Sequence, residues 1–84
     1  MAKTVVLLTA KWCPQCHGAR QFWERLRQRL EFHYRELDID SVEGQAMADR
    51  HNIQSVPATI LDDRLWDGML DETTVVHFLG NRPA

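Results

Sequence analysis

Thr4-Val5-Val6-Leu7-Leu8-Thr9 is short, apolar and β-branched, as a buried strand is, and it leads through Trp12-Cys13-Pro14-Gln15-Cys16-His17 into a long stretch with helical periodicity. This junction constrains the chain more than any other feature, because it places both cysteines where a strand turns into a helix. Pro14 suits the first helical position, where its fixed φ fits and its missing N–H has no partner to lose, so Cys13 falls at the N-cap and Cys16 inside the first turn. The unpaired amide N–H groups and the positive end of the helix dipole favour an anion there, which makes Cys13 the expected thiolate nucleophile. Cys16, three residues on, is within reach of a mixed disulfide formed at Cys13, so the spacing suits thiol–disulfide exchange.

At 84 residues, the chain has room for one modest core and is read as a single domain over residues 1–84. Ten Lys plus Arg against twelve Asp plus Glu, with 44% apolar residues, point neither to disorder nor to a basic surface for nucleic acid. Met1-Ala2-Lys3 leads straight into the first strand, whose apolar run is too short for a membrane span and has no small-residue cleavage site behind it. The expectation is a cytoplasmic protein without membrane association. Two cysteines are too few for a secreted disulfide scaffold, which again favours a redox pair.

The first helix is expected from Pro14 to Leu30, with Ala19, Phe22, Trp23, Leu26 and Leu30 on its apolar face and Arg20, Glu24, Arg25, Arg27, Gln28 and Arg29 on a solvated one. Gly18, inside it, costs stability and raises the question of a close neighbour or partner. Phe32 to Ile39 alternates aromatic and polar residues, as a strand with one wet face or an exposed edge does, and strand, helix and strand form a parallel, right-handed βαβ unit. Ser41 caps a second helix that is expected to turn Val42, Ala46, Met47 and either His51 or Ile53 inward, ending near Asn52. A third strand spans Ile53 to Leu61 with Pro57 at its head, Asp62-Asp63 forms a turn, and Arg64 to Asp67 returns as a hairpin partner broken by Gly68. Asp71 caps a last helix with Val75, Val76, Phe78 and Leu79 on its apolar face, stopped by Gly80 and Pro83.

This order, β-α-β-α-β-β-α with Cys-x-x-Cys after the first strand and Val56-Pro57 opening the third, resembles the thioredoxin fold in its minimal, glutaredoxin-sized form. Trp12-Cys13-Pro14-Gln15-Cys16 resembles the family's Trp-Cys-x-x-Cys site, Leu37-Asp38-Ile39-Asp40 the segment that leads into its second helix, and Ile53-Gln54-Ser55-Val56-Pro57 its Ile/Val-x-x-Ile/Val-Pro signature. The resemblance implies an α/β fold with a four-stranded mixed sheet flanked by three helices. It also implies that Pro57 is the cis-proline facing the dithiol, that the Val56 backbone offers hydrogen bonds to an extended substrate, and that Gly68 leaves room for that substrate. Trp12, Pro14, Gln15, Val56, Pro57 and Gly68 then rim a substrate groove around Cys13. Two departures stand out. Thioredoxins typically carry a buried Asp where this chain has Leu7, so the general base for the resolving thiol is missing. Pro14 in the first middle position is a glutaredoxin habit, whereas Trp12 is a thioredoxin one, and the Gly-Gly and following Asp that hold glutathione in glutaredoxins are not found at the hairpin end.

Cys13-Pro14-Gln15-Cys16-His17 also satisfies the Cys-x-x-Cys-His pattern of c-type haem attachment, but the strand-rich surroundings oppose it. Zinc would need ligands beyond the two thiols, and there is no second Cys-x-x-Cys or His-x₃₋₅-His to supply them, which leaves zinc only a site shared between two chains. His17 is a polar residue of the first helical turn that also qualifies as a cation near the thiols; His33, His51 and His77 read as surface or half-buried residues. No metal or organic cofactor is implied, and no nucleotide-binding glycine motif is present, so electrons must come from an upstream reductase or from glutathione. The sequence therefore predicts a monomeric dithiol–disulfide oxidoreductase acting on protein or small-molecule disulfides, Cys13 attacking and Cys16 resolving. Glutathione-coupled exchange and a non-catalytic partner-binding module on the same fold are the alternatives.

Overall fold

The structure, a computed structural model, describes residues 3–66 and 71–79. Its elements run β1 (Thr4–Thr9), α1 (Pro14–Arg27), β2 (His33–Asp38), α2 (Val42–Arg50), β3 (Ala58–Leu61), β4 (Arg64–Leu65) and α3 (Glu72–Phe78). The four strands form one mixed sheet in the order β2-β1-β3-β4. β1 pairs parallel with β2 and antiparallel with β3, and β3 pairs antiparallel with β4. The architecture is the minimal thioredoxin fold, with β2 on an edge as its alternating polarity requires.

Because β1 is covered on both faces, it reads as a continuous apolar run rather than an alternation. Val5 and Leu7 meet Ala19, Trp23 and Leu26 of α1, Leu61 of β3 and Val75 of α3 on one face. Val6 and Leu8 meet Leu37, Ala58, Ile60 and Met47 on the other. Trp23 is fully buried and anchors the first layer, with Phe22 edge-on at 5.1 Å and Phe32 at 5.8 Å. Trp66 covers the sheet, its ring meeting Phe78 of α3 edge-on at 5.5 Å. Asp62 and Asp63 have φ of 48° and 70°, the two positive values a type I′ hairpin turn needs, and Asp62 Oδ1 accepts from the Thr4 amide at 2.8 Å, tying the turn to β1.

Several boundaries differ from expectation. α1 ends at Arg27 rather than Leu30, because the amides of Gln28 and Arg29 bond the carbonyls three residues back and tighten the chain out of the helix; Leu30 still packs on the core. β3 begins at Ala58, and Ile53 reaches the core from the preceding loop. The face of α2 is also different: Val42 is 88% exposed and Ala46 is exposed, while Gly44 is buried and Met47 packs on the sheet. Gly44 sits so close to the Asp38 carbonyl that this contact, and not the apolar residues, sets the helix rotation. Ser41 and Asp71 cap α2 and α3 through side-chain bonds from Gly44 N and Thr74 N. The expected stops at Gly80 and Pro83 and the break at Gly68 lie outside the described residues.

Among the described residues, nothing outside Gly18's own stretch of helix lies within 4 Å of the place where a Cβ would stand, so none of the described elements explains it. Gly18→Ala is expected to stabilise the protein by roughly 0.5–1 kcal/mol, through the helix propensity alone. A urea midpoint that stays or falls would show that the exposed α1 surface is constrained by something other than the fold.

Candidate active site

Cys13 is the N-cap of α1, with extended backbone (φ −100°, ψ 106°) and Pro14 opening the helix. The cap makes no side-chain bond to the helix, so the thiol is free for other contacts. Its amide donates to the Ala10 carbonyl at 3.1 Å, and the Cys16 amide donates to the Cys13 carbonyl at 3.3 Å, which folds the four-residue motif into a tight turn. The Cys13 Sγ lies 3.7 Å from the Val56 carbonyl oxygen and 4.0 Å from Gln15 Oε1. Residue 57 follows through a cis Val56–Pro57 peptide bond.

Both cysteines are reduced and buried, Cys13 at 7% exposure and Cys16 at 1%. With Ala10 they form a small cluster, closed by Ile39 from the β2–α2 turn and by Val56. Burial pushes the Cys16 thiol up to about 11, its hydrogen bond to Cys13 adds to the rise, and the Ala10 backbone and the Arg20 charge pull the other way. Cys16 therefore holds its proton at neutral pH. The two thiols have unequal roles by position: Cys13 is at the edge of the turn beside the Val56 carbonyl, and Cys16 is behind it.

The structure thus gathers Cys13, Cys16, Gln15, Val56 and Pro57. Pro14 and Gln15 are exposed, Pro57 is half-buried, and Trp12, at 71%, is an exposed ring directly before the nucleophile. Gly68 lies outside the described residues. His17 is exposed, as are His33 and His77, and His51 is half-buried. Among the described residues no group of three or more His, Cys, Asp or Glu side chains is arranged to hold a metal ion, and no helix is long and apolar enough to cross a membrane. Leu7 is fully buried in the core between α1 and α3.

Sequence reasoning passed over Ile39 and Ala10 as the walls of the dithiol pocket, and over the Arg20–Glu36 pair beside it. Arg20 Nε and Nη2 donate to Glu36 Oε1 and Oε2 at 2.7 and 2.6 Å, and Thr9 Oγ1 donates to Glu36 Oε2 at 3.2 Å. The signal available was the (i, i+4) spacing of Cys16 and Arg20 on one helix face.

A Cys-x-x-Cys pair at the head of α1, its first sulfur 3.7 Å from the carbonyl that precedes a cis-proline, on a β2-β1-β3-β4 sheet, defines a thioredoxin-fold protein with a dithiol site. A glutaredoxin family model matches residues 5–66, from β1 through the β3–β4 hairpin, and the chain belongs to the glutaredoxin family. No curated protein matches the chain. Among solved structures it is similar to a thioredoxin variant from Halobacterium salinarum, with a TM-score of 0.71 at 23% identity, covering 92% of this chain and 71% of that one. A malarial protein gives 0.75 at 17% identity, covering 95% and 96%. Mitochondrial thioredoxin 3 from Saccharomyces cerevisiae, in its oxidised form, gives 0.68 at 20% identity, covering 93% and 76%.

Proposed function

We propose that the protein is a dithiol–disulfide oxidoreductase of the cytosol that reduces disulfides in proteins or small molecules as a monomer. The observation that carries this reading is the pairing of an N-cap Cys13, free of any cap bond and 3.7 Å from the Val56 carbonyl, with a buried Cys16 one turn behind it. The Cys13 thiolate attacks one sulfur of a partner disulfide, and a Cys13–partner disulfide forms as the other partner sulfur leaves as thiolate. Cys16 then loses its proton and attacks Cys13 Sγ; the Cys13–Cys16 bond forms, the partner's second thiolate leaves, and two electrons have passed to the partner. An extended partner segment is held by the Val56 backbone, with Trp12, Pro14, Gln15 and Pro57 around it. Oxidised protein is recharged by an upstream dithiol reductase. Glutathione is the alternative electron source, supported by the glutaredoxin family match and the proline at the first middle position and opposed by the missing Gly-Gly and Asp.

The reduction potential of the Cys13–Cys16 pair tests the reading, measured by equilibration in defined thiol buffers with Trp12 fluorescence as the signal. A value near about −270 mV fits a reductase-fed reductant, and one near about −200 mV fits glutathione-coupled exchange. A dithiol with no reversible two-electron transition would overturn the reading in favour of a partner-binding module.

A further inference from the structure

One charged cluster begins a helical turn from the dithiol and is left unused by the exchange chemistry. Arg20 lies one helical turn beyond Cys16 on α1, at the spacing that stacks two side chains on the same face. Its two-pronged bond to Glu36 crosses from the helix to the sheet, and the hydroxyl of buried Thr9 fixes the same carboxylate. The register sets Glu36 directly beside Leu7 on β1, where the general base of the resolving thiol is missing.

We propose that Arg20, clamped by Glu36 and Thr9, is a positioning residue of the resolving step: it holds a positive charge one helical turn from Cys16 and favours the Cys16 thiolate, so that the proton leaves to water without a buried carboxylate at position 7. The consequence for turnover rests on the oxidoreductase reading above. A rival within the cluster is Glu36 acting as proton acceptor itself. Its bonds from Arg20, helped by Thr9, hold the Glu36 carboxyl below its ordinary range, which makes it a poor base. The Arg20 charge acts on Cys16 against the burial that raises its thiol, more weakly than the Ala10 backbone bond does.

Among the described residues, the groups bearing on Cys16 are few. On its own helix they are Cys13 and Arg20, and the Ala10 amide lies in the preceding turn. From β2, Glu36 acts through Arg20, and the Tyr34 phenol on the same face is pushed up to about 12 by burial and stays neutral. Ile39 and Val56, which close the pocket, carry no charge. Arg20 is thus the cation available when the Cys16 thiolate attacks Cys13 Sγ.

The test exploits charge sign. Replacing either partner breaks the same ion pair, but removing Arg20 deprives Cys16 of a cation while removing the Glu36 charge unmasks that cation. In a Cys13→Ser background Cys16 is the chain's one thiol, and its ionisation is followed by the pH dependence of its 13Cβ NMR shift. Arg20→Met is expected to raise the midpoint and Glu36→Gln to lower it, each by about half a pH unit, or about threefold in thiolate fraction. Arg20→Lys should restore the parent midpoint. With Cys13 present, release of a peptide thiol from the mixed disulfide at neutral pH should slow about threefold in Arg20→Met and quicken about threefold in Glu36→Gln. Midpoints that move together, or not at all, overturn the assignment of Arg20 while a wild-type two-electron transition leaves the oxidoreductase reading standing. Opposite shifts with no such transition would overturn the reading and its resolving step, leaving only the charge effect.

Discussion

Cys13→Ser is expected to reduce disulfide turnover to the uncatalysed background while leaving the protein folded. The serine hydroxyl has no accessible anion at neutral pH and cannot open a disulfide, so the first bond never forms. The fold should tolerate the change, because Cys13 sits in a small cluster apart from the two larger cores and a hydroxyl can still donate to the Val56 carbonyl. Cys16→Ser should behave differently: attack by Cys13 proceeds, resolution does not, and the mixed disulfide accumulates in equal amount to the protein. The assay is reduction of a peptide disulfide with a thiol-based recharging system, with mass spectrometry for the trapped adduct. Turnover that survives Cys13→Ser would mean that Cys13 is not the nucleophile, and the oxidoreductase reading through this pair would be lost.

The asymmetry between the two thiols was legible in the sequence because it is a local matter. Pro14 fixes where the helix begins, and that alone sets Cys13 at the cap and Cys16 in the first turn. β1 was legible for the same reason, as a run of β-branched and apolar residues long enough for one strand. So were the caps at Ser41 and Asp71, whose side chains bond amides three residues on. What failed to show was set by contacts between distant residues. The rotation of α2 depends on a backbone contact between Gly44 and Asp38, and a residue without a side chain leaves no mark in a hydrophobic pattern. Val42 and Ala46, the apolar residues that invite an inward reading, therefore point to solvent. The Arg20–Glu36 pair depends on the Leu7-to-Glu36 register of two parallel strands, which spacing along one helix does not reveal. Charged residues on that helix look like a solvated face, and the others among them are one.

Gly44→Ala is expected to be the most damaging small substitution in the fold. A Cβ built on Gly44 would stand 1.9 Å from the Asp38 carbonyl oxygen, 2.8 Å from its carbon and 3.0 Å from Ser41 Oγ. A clash with a flexible side chain could be relieved by a rotamer change, but this carbonyl is pinned. The Ser41 amide donates to it at 3.0 Å and the Ser41 hydroxyl at 2.6 Å, while Ser41 Oγ accepts from the Gly44 amide at 2.9 Å. Making room requires α2 to lift from the end of β2, which breaks the N-cap, worth about 1 kcal/mol, and loosens the packing of Met47 on Val6 and Leu8. With overpacking at about 1–3 kcal/mol, the total is roughly 2–4 kcal/mol, a large share of the 5–15 kcal/mol that holds a typical domain together. Urea unfolding should show a midpoint well below the parent's, whereas Gly18→Ala, the same change in the open helix face, should move it the other way. The two glycines thus make a matched pair, and a Gly44→Ala midpoint within about 0.5 kcal/mol of the parent would mean that α2 does not rest on Asp38. Because Ile39, which closes the dithiol pocket, lies between Asp38 and Ser41, displacement of α2 should also disturb the wall beside Cys13 and Cys16. Loss of stability at Gly44 should therefore carry a change in reactivity at the dithiol, which Gly18→Ala should leave untouched.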